Sequence, residues 1–221
     1  MHTVFAFDVY GTLINPLGIS VVLEKHVGGN ASAMAELWRS KQLEYSFRRG
    51  LMRSYIPFTD VTRDALNYAC LALDIEIDDE IKHDLMRQYL RLESFDDVVP
   101  TLKMMVDQEV RLHAFSNGTS SDLNALLSHA GVLGFLESIV SVERIKSFKP
   151  DPDVYELFNE ITQSQPENTW LVSGNPFDII GAGACGWKTA WLKRSAAVVF
   201  DPWGYRPTKT ISSLEDLVHI T

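Results

Sequence analysis

Val4-Phe5-Ala6-Phe7-Asp8-Val9-Tyr10-Gly11-Thr12-Leu13 runs through four apolar residues, stops at a carboxylate and turns on a glycine. An apolar run this short, closed by turn residues, reads as a strand buried on both faces, the kind found in parallel sheets. Runs of the same texture stand at Val110 to Phe115, Ile139 to Val142, Trp170 to Val172 and Thr189 to Leu192. Each follows a segment of helical periodicity, at about 99 to 107, 120 to 130, 153 to 162 and 177 to 185. Strands alternating with helices predict an α/β chain with a right-handed, doubly wound, Rossmann-like parallel sheet.

Outward from the first strand the texture changes. Between 15 and 95 the periodic faces are Leu37, Leu43 and Phe47, then Ala65, Leu66, Ala69 and Leu73, then Ile81, Leu85, Met86 and Leu90, with no strand between them. The expected organisation is an α/β core from 1–14 and 96–221, with an all-helical cap inserted over 15–95. Ligands of open α/β sheets bind beyond the carboxyl ends of the strands, so a unit rooted just after the first strand sits above that place. Near the end, Ser212-Ser213-Leu214-Glu215 has a capping-box pattern that predicts a short final helix.

Composition narrows the function. The 221 residues are 46% hydrophobic and 22% charged, a globular balance that excludes disorder, collagen-like repeats and coiled coil. Twenty basic against 29 acidic residues leave a formal charge of -9, and no basic run or stripe offers phosphate neutralisation, so nucleic acid is excluded as a partner. A small anion remains compatible, because it feels the local site. Cys70 and Cys185 lack metal-like spacing and are expected as reduced, buried thiols. Met1-His2-Thr3 starts no signal-peptide pattern and no apolar stretch reaches membrane-spanning length, which predicts a cytoplasmic protein without a membrane partner.

Four strand ends carry the polar groups. Asp8 ends the first, a rigid position from which a carboxylate can act as a nucleophile. Phe115-Ser116-Asn117-Gly118-Thr119 ends the second and opens a helix, whose first N–H groups attract anions. Lys149-Pro150-Asp151-Pro152 follows the third, with prolines that fix the loop presenting Lys149. Val172-Ser173-Gly174-Asn175-Pro176-Phe177-Asp178 ends the fourth. Any one of these is a common loop; four in succession, at strand ends of one sheet, predict a single convergent site. His26, His83, His113 and His129 show no ligand spacing and read as structural or surface residues, and Trp187 and Trp191 as sheet packing. The Gly181-Ala182-Gly183-Ala184 run reads as close helix packing.

In order and separation, these four segments resemble the motifs of the haloacid dehalogenase superfamily. Membership alone implies an Mg²⁺-dependent phosphatase, which is the alternative reading. Two departures oppose it. The phosphatases carry a second Asp two residues after the nucleophile as general acid, and here that residue is Tyr10, a phenol of pKa about 10. Their fourth motif usually pairs acidic residues around Mg²⁺, whereas this chain has Asn175 and only Asp178.

Leu37-Trp38-Arg39-Ser40-Lys41-Gln42-Leu43-Glu44-Tyr45-Ser46 is similar to the cap segment of the L-2-haloacid dehalogenases, whose Arg matches Arg39. Lys149 and Tyr155 match that subfamily as well. The resemblance implies a reaction without metal or other cofactor on a small anionic haloacid. In it Asp8 attacks Cα, an ester forms, and a water activated by Asp178, itself oriented by Ser173 and Asn175, releases a D-2-hydroxy acid. The catalytic residues it implies are Asp8, Thr12, Arg39, Ser116, Lys149, Tyr155, Ser173, Asn175 and Asp178. Val9, Tyr10, Arg39, Phe58, Ser116, Asn117 and Phe177 would bind substrate and halide. A homodimer is implied too. Where the subfamily usually has Ser-Ser-Asn this chain has Ser173-Gly174-Asn175, and Ser40 stands where Gln is frequent.

Overall fold

The computed structural model describes residues 3–219. Met1 and His2, part of the expected leaderless start, and Ile220 and Thr221 of the tail lie outside the described residues. Six strands form one sheet: β1 (Thr3–Phe7), β2 (Val110–Ser116), β3 (Ser138–Ser141), β4 (Thr169–Ser173), β5 (Lys188–Leu192) and β6 (Lys209–Ile211). Their order is β3-β2-β1-β4-β5-β6 and every neighbouring pair is parallel. The order reverses between β1 and β4, so the loops after these two strands diverge and leave a crevice between them.

The apolar run of β1 is central because it is covered on both sides: Val4, Phe5, Ala6 and Phe7 are all buried, and Phe5 stacks on Phe7 and Trp170. The crossovers from β2 to β5 are helical, as is usual between parallel neighbours, whereas β5 and β6 are joined by irregular chain over 193–208. The crossover helices are α6 (Ser120–His129), α7 (Pro152–Thr162) and α8 (Pro176–Ala184), with α5 (Val98–Val106) leading into β2. Local chemistry starts them where the sheet needs its loops to end. Thr119 caps α6 by accepting the Asp122 N–H, Asp151 caps α7 by accepting the Asp153 N–H with Pro152 at the first helical position, and Pro176 opens α8.

Between β1 and α5 lie α1 (Ser20–Val27), α2 (Ala31–Leu51), α3 (Phe58–Ala72) and α4 (Asp79–Tyr89). The chain enters and leaves this stretch side by side: Asn15 N–H donates to Glu93 O (3.1 Å) and Phe95 N–H to Leu13 O (3.1 Å), with an antiparallel bridge between Ile14 and Ser94. No helix among the described residues is long and apolar enough to cross a membrane.

Several expectations shift. The buried line of α2 runs through Met34, Trp38, Gln42 and Ser46, whereas Leu37, Leu43 and Phe47 are half-buried. The reason is a polar interior: Trp38 Nε1 donates to Thr62 O (2.8 Å) and Gln42 Nε2 to Thr62 Oγ1 (2.6 Å), contacts that hydrophobic periodicity passes over. Helix α1 was not expected, since Leu23 alone of its residues is buried, and neither was β6, a short edge strand beginning on exposed Lys209 and Thr210. Val142 starts a 3₁₀ turn capped by Ser141 instead of ending β3. The final helix is a 3₁₀ segment, Leu214–His219, whose box sits one residue later than expected: Ser213 Oγ accepts the Glu215 N–H, and Asp216, not Glu215, accepts the Ser213 N–H. Cys70 is buried, but Cys185 is half-buried; both are free thiols.

Candidate active site

Asp8 leaves β1 with its N–H on Val172 O (3.0 Å), which places the carboxylate at the crevice between β1 and β4. The chain then folds back sharply, Val9 O accepting the N–H groups of Thr12, Leu13 and Ile14. Gly11 takes φ +89°, a conformation glycine adopts without strain. The loop after β4 crosses this turn closely enough that a Cβ on Gly174 would stand 2.4 Å from Gly11 O, which is why a glycine there suits this chain.

The donors around Asp8 are unequal. Its Oδ2 accepts from Thr12 Oγ1 (2.8 Å), Asn175 Nδ2 (2.7 Å) and Ser173 Oγ (3.4 Å), while Oδ1 accepts, among the described residues, from Lys149 Nζ alone (3.3 Å). Lys149 is 1% exposed and spends its other two protons on Asp178 Oδ2 (2.8 Å) and Phe115 O (2.8 Å). Asp178 is fully buried, and Tyr155 Oη donates to its Oδ1 (2.8 Å). Burial pushes the Asp178 carboxyl above the ordinary aspartate range, the Asp8 charge adds to this, and Lys149 and the Tyr155 hydroxyl work against it. Tyr155 is raised far above a free phenol by burial and by Asp178. Gly181 makes room for it, since a Cβ there would lie 2.4 Å from Tyr155 Oη.

One expected role is reassigned by these contacts. The side chains of Ser173 and Asn175 hold Asp8, and those of Lys149 and Tyr155 hold Asp178. Residues 173 and 175 lie at the strand end facing β1, while Asp178 sits in the first turn of α8, facing α7, the helix of Tyr155.

Asn117 Oδ1 accepts the Lys149 N–H (2.9 Å), and Ser116 Oγ accepts the Gly118 N–H (3.2 Å); both residues are buried beside the cluster. Arg39 reaches the same loop from α2: Nη2 donates to Tyr10 O (3.0 Å) and Nη1 to Gln42 Oε1 (2.6 Å). Gln42 is fully buried and also accepts from Tyr89 Oη (3.2 Å). Tyr10 packs between Phe58 (5.8 Å between centroids) and Tyr89 (5.6 Å), and burial raises its pKa far above that of a free phenol. Phe177 meets Phe47 edge to face at 4.8 Å. Val9 is buried at the turn. Gln42 and Tyr89 escaped the sequence reading; the available signal was a Gln three residues after Arg39, hence on the same helical face.

A divalent cation does not fit this donor set. Among the described residues no three His, Cys, Asp or Glu side chains gather as ligands. The two oxygens a hard cation would share, Asp8 Oδ2 and Tyr10 O, are bridged by the Asn175 amide nitrogen at 2.7 and 3.0 Å, a hydrogen-bond donor in the place of a Lewis acid.

With this geometry in hand, the comparisons are specific. The sequence pattern of the haloacid dehalogenase-like hydrolases matches residues 6–192. The chain is 35% identical to haloacetate dehalogenase H-2 of Moraxella sp. (strain B) over 215 residues, covering 97% of this chain and 96% of that protein. It is 33% identical to (S)-2-haloacid dehalogenase of Pseudomonas sp. (strain YL), covering 97% and 92%. Among solved structures, the L-2-haloacid dehalogenase of Xanthobacter autotrophicus with covalently bound chloropropionic acid superposes with a TM-score of 0.94, at 28% identity and covering 100% of this chain and 98% of that one.

Proposed function

The chain belongs to the haloacid dehalogenase-like hydrolase family, and from that premise we propose that it hydrolyses short L-2-haloalkanoic acids to D-2-hydroxy acids. The observation that carries the reading is the asymmetry of Asp8. Three neutral donors saturate Oδ2, whereas Oδ1 has the long bond from Lys149 Nζ and so keeps a lone pair for an electrophilic carbon. Lys149 holds that carboxylate in place by charge.

Oδ1 attacks Cα opposite the carbon–halogen bond; the C–O bond forms as the halide leaves with the bonding pair, and Cα inverts. Arg39, the Asn117 amide and the Phe177 ring edge receive the halide. The Ser116 hydroxyl and neighbouring backbone N–H groups bind the substrate carboxylate, while Val9, Tyr10 and Phe58 supply the apolar wall that keeps bulk water away. Water then attacks the ester carbonyl of Asp8, giving a proton to Asp178. The bond between that carbonyl carbon and the substrate oxygen breaks, and the departing alkoxide takes the proton back from Asp178. The second water proton is released as Asp8 returns to carboxylate, and the hydroxy acid leaves with an oxygen that came from Asp8. Thr12, Ser173 and Asn175 keep Asp8 aligned through both steps, and Tyr155 keeps Asp178 aligned. Residues 15–95 act as a cap over residues 1–14 and 96–221, delivering Arg39. We further propose a homodimer located in the cytoplasm, consistent with the free thiols of Cys70 and Cys185.

The test is halide release from each enantiomer of 2-chloropropionate, with and without EDTA. The expected result is chelator-insensitive release from the L enantiomer alone, with D-lactate as product. In a single turnover in ¹⁸O-water the label enters Asp8, not the lactate. Absence of halide release, or phosphate release from phosphate esters that requires Mg²⁺, sinks the proposal.

A further inference from the structure

Arg194 lies just beyond the end of β5, and no motif reading selects it. Its Nη2 donates to Thr12 O (2.6 Å) and its Nη1 to both oxygens of Asp97 (3.0 and 3.2 Å), while its Cζ lies 3.7 Å from the centre of the Phe95 ring. Asp97, the residue before α5, also accepts the Leu214 N–H (2.9 Å) and the Ser213 hydroxyl (3.3 Å). Both charged side chains are largely shielded, at 18% and 16% exposure, so their attraction is less screened than that of a surface pair.

Thr12 links this pair to the nucleophile. It is fully buried; its hydroxyl donates to Asp8 Oδ2 (2.8 Å) and accepts the Gly174 N–H (2.9 Å). Its carbonyl takes the short, charge-assisted bond from Arg194. One guanidinium thus ties the nucleophile's turn to Asp97 and Phe95, beside the point where the chain returns from its helical stretch, and through Asp97 to the C-terminal segment.

Resting on the dehalogenase reading above, we infer that Arg194, braced by Asp97, is a positioning residue for the alkylation of Asp8. It fixes the Thr12 carbonyl, hence the Thr12 hydroxyl, hence the direction in which Asp8 Oδ1 points. It touches neither substrate nor halide. Small misplacements of a nucleophile cost rate more than affinity, because substrate binding does not depend on the attack angle.

The experiment compares wild type, Arg194→Met, Arg194→Lys and Asp97→Asn in L-2-chloropropionate turnover, together with melting temperature and the single-turnover halide burst. Expected for Arg194→Met is a fall in kcat of about tenfold or more with KM within about twofold, a burst slowed in proportion, and partial rescue by added guanidinium ion. Arg194→Lys and Asp97→Asn fall between, and they carry the same test if Arg194→Met does not fold. A folded variant with wild-type kcat, or a loss that tracks only the unfolded fraction and is not rescued, overturns the inference while leaving the reaction assignment intact. A wild-type protein that releases no halide overturns the assignment and this inference with it.

Discussion

At the carboxyl ends of β1 and β4 one ammonium faces two carboxylates; on α2 one guanidinium faces an amide of its own helix and a carbonyl of the turn after β1. In the first region charge is held by charge. Lys149 is saturated by Asp8, Asp178 and Phe115 O, and the cluster by itself is one negative charge in excess. In the second, Arg39 is steered by neutral groups, so its positive charge meets no carboxylate among the described residues. Brought together, two cations and two carboxylates cancel, leaving a site that accepts an anionic substrate within a chain of formal charge -9. In the proposed reaction the sheet end keeps the nucleophile aimed and the helical stretch offers an uncompensated cation.

Asp8→Asn gives the sharpest break between the regions. It removes the attacking oxygen's charge, so halide release falls to background even though Arg39 and its network are untouched; turnover above background would show that the cluster does not carry the chemistry.

Asp178→Asn separates the two half-reactions within the cluster. Alkylation survives in slowed form and ester hydrolysis stops, so about one halide is released per enzyme and the intact mass rises by the 1-carboxyethyl group left on Asp8 by 2-chloropropionate. Continued multiple turnover would deny Asp178 its role.

Gln42→Leu tests the neutral network. Arg39 loses its Nη1 acceptor, and Thr62 Oγ1 and Tyr89 Oη lose partners in a buried setting. A stability loss of about 2 kcal/mol is expected from the orphaned polar groups, with KM raised about tenfold and kcat reduced less. A kcat loss as large as that of the cluster variants would erase the distinction between the regions.

The smallest effect belongs to pH. Asp178 must be ionised to act as base in ester hydrolysis, and its carboxyl is raised above the ordinary 3.8, so kcat falls as pH drops through that raised value. The Tyr155 hydroxyl favours the charged form, so Tyr155→Phe raises the carboxyl further and moves the acid limb toward neutrality. A limb that stays in place, or moves to lower pH, contradicts the arrangement.

Much of this is legible in the sequence alone. The apolar run ending at Asp8, and the repetition of polar groups after four strands, point to the parallel sheet and to convergence at its carboxyl end, because a buried parallel strand needs an uninterrupted apolar run. What escaped were features whose signal is not hydrophobic period: β6, α1, the inward Gln42, and the Arg194–Asp97 pair joining residues 97 apart. The partners of Ser173 and Asn175 were misassigned for a related reason. Adjacency in a motif says which residues share a loop, whereas the turn of α8 decides which way Asp178 faces.

The sequence by itself determined the fold class, the family and the inventory of reactive groups, since these follow from periodicity, strand-ending residues and motif order. Tertiary structure decided the pairing: that Asn175 bridges Asp8 and Tyr10 O, that Lys149 is shared by two carboxylates, and that Arg39 leans on Gln42. Such pairings depend on distances of about 3 Å between side chains far apart in the chain, and hydrogen bonds and buried charges are decided at that scale.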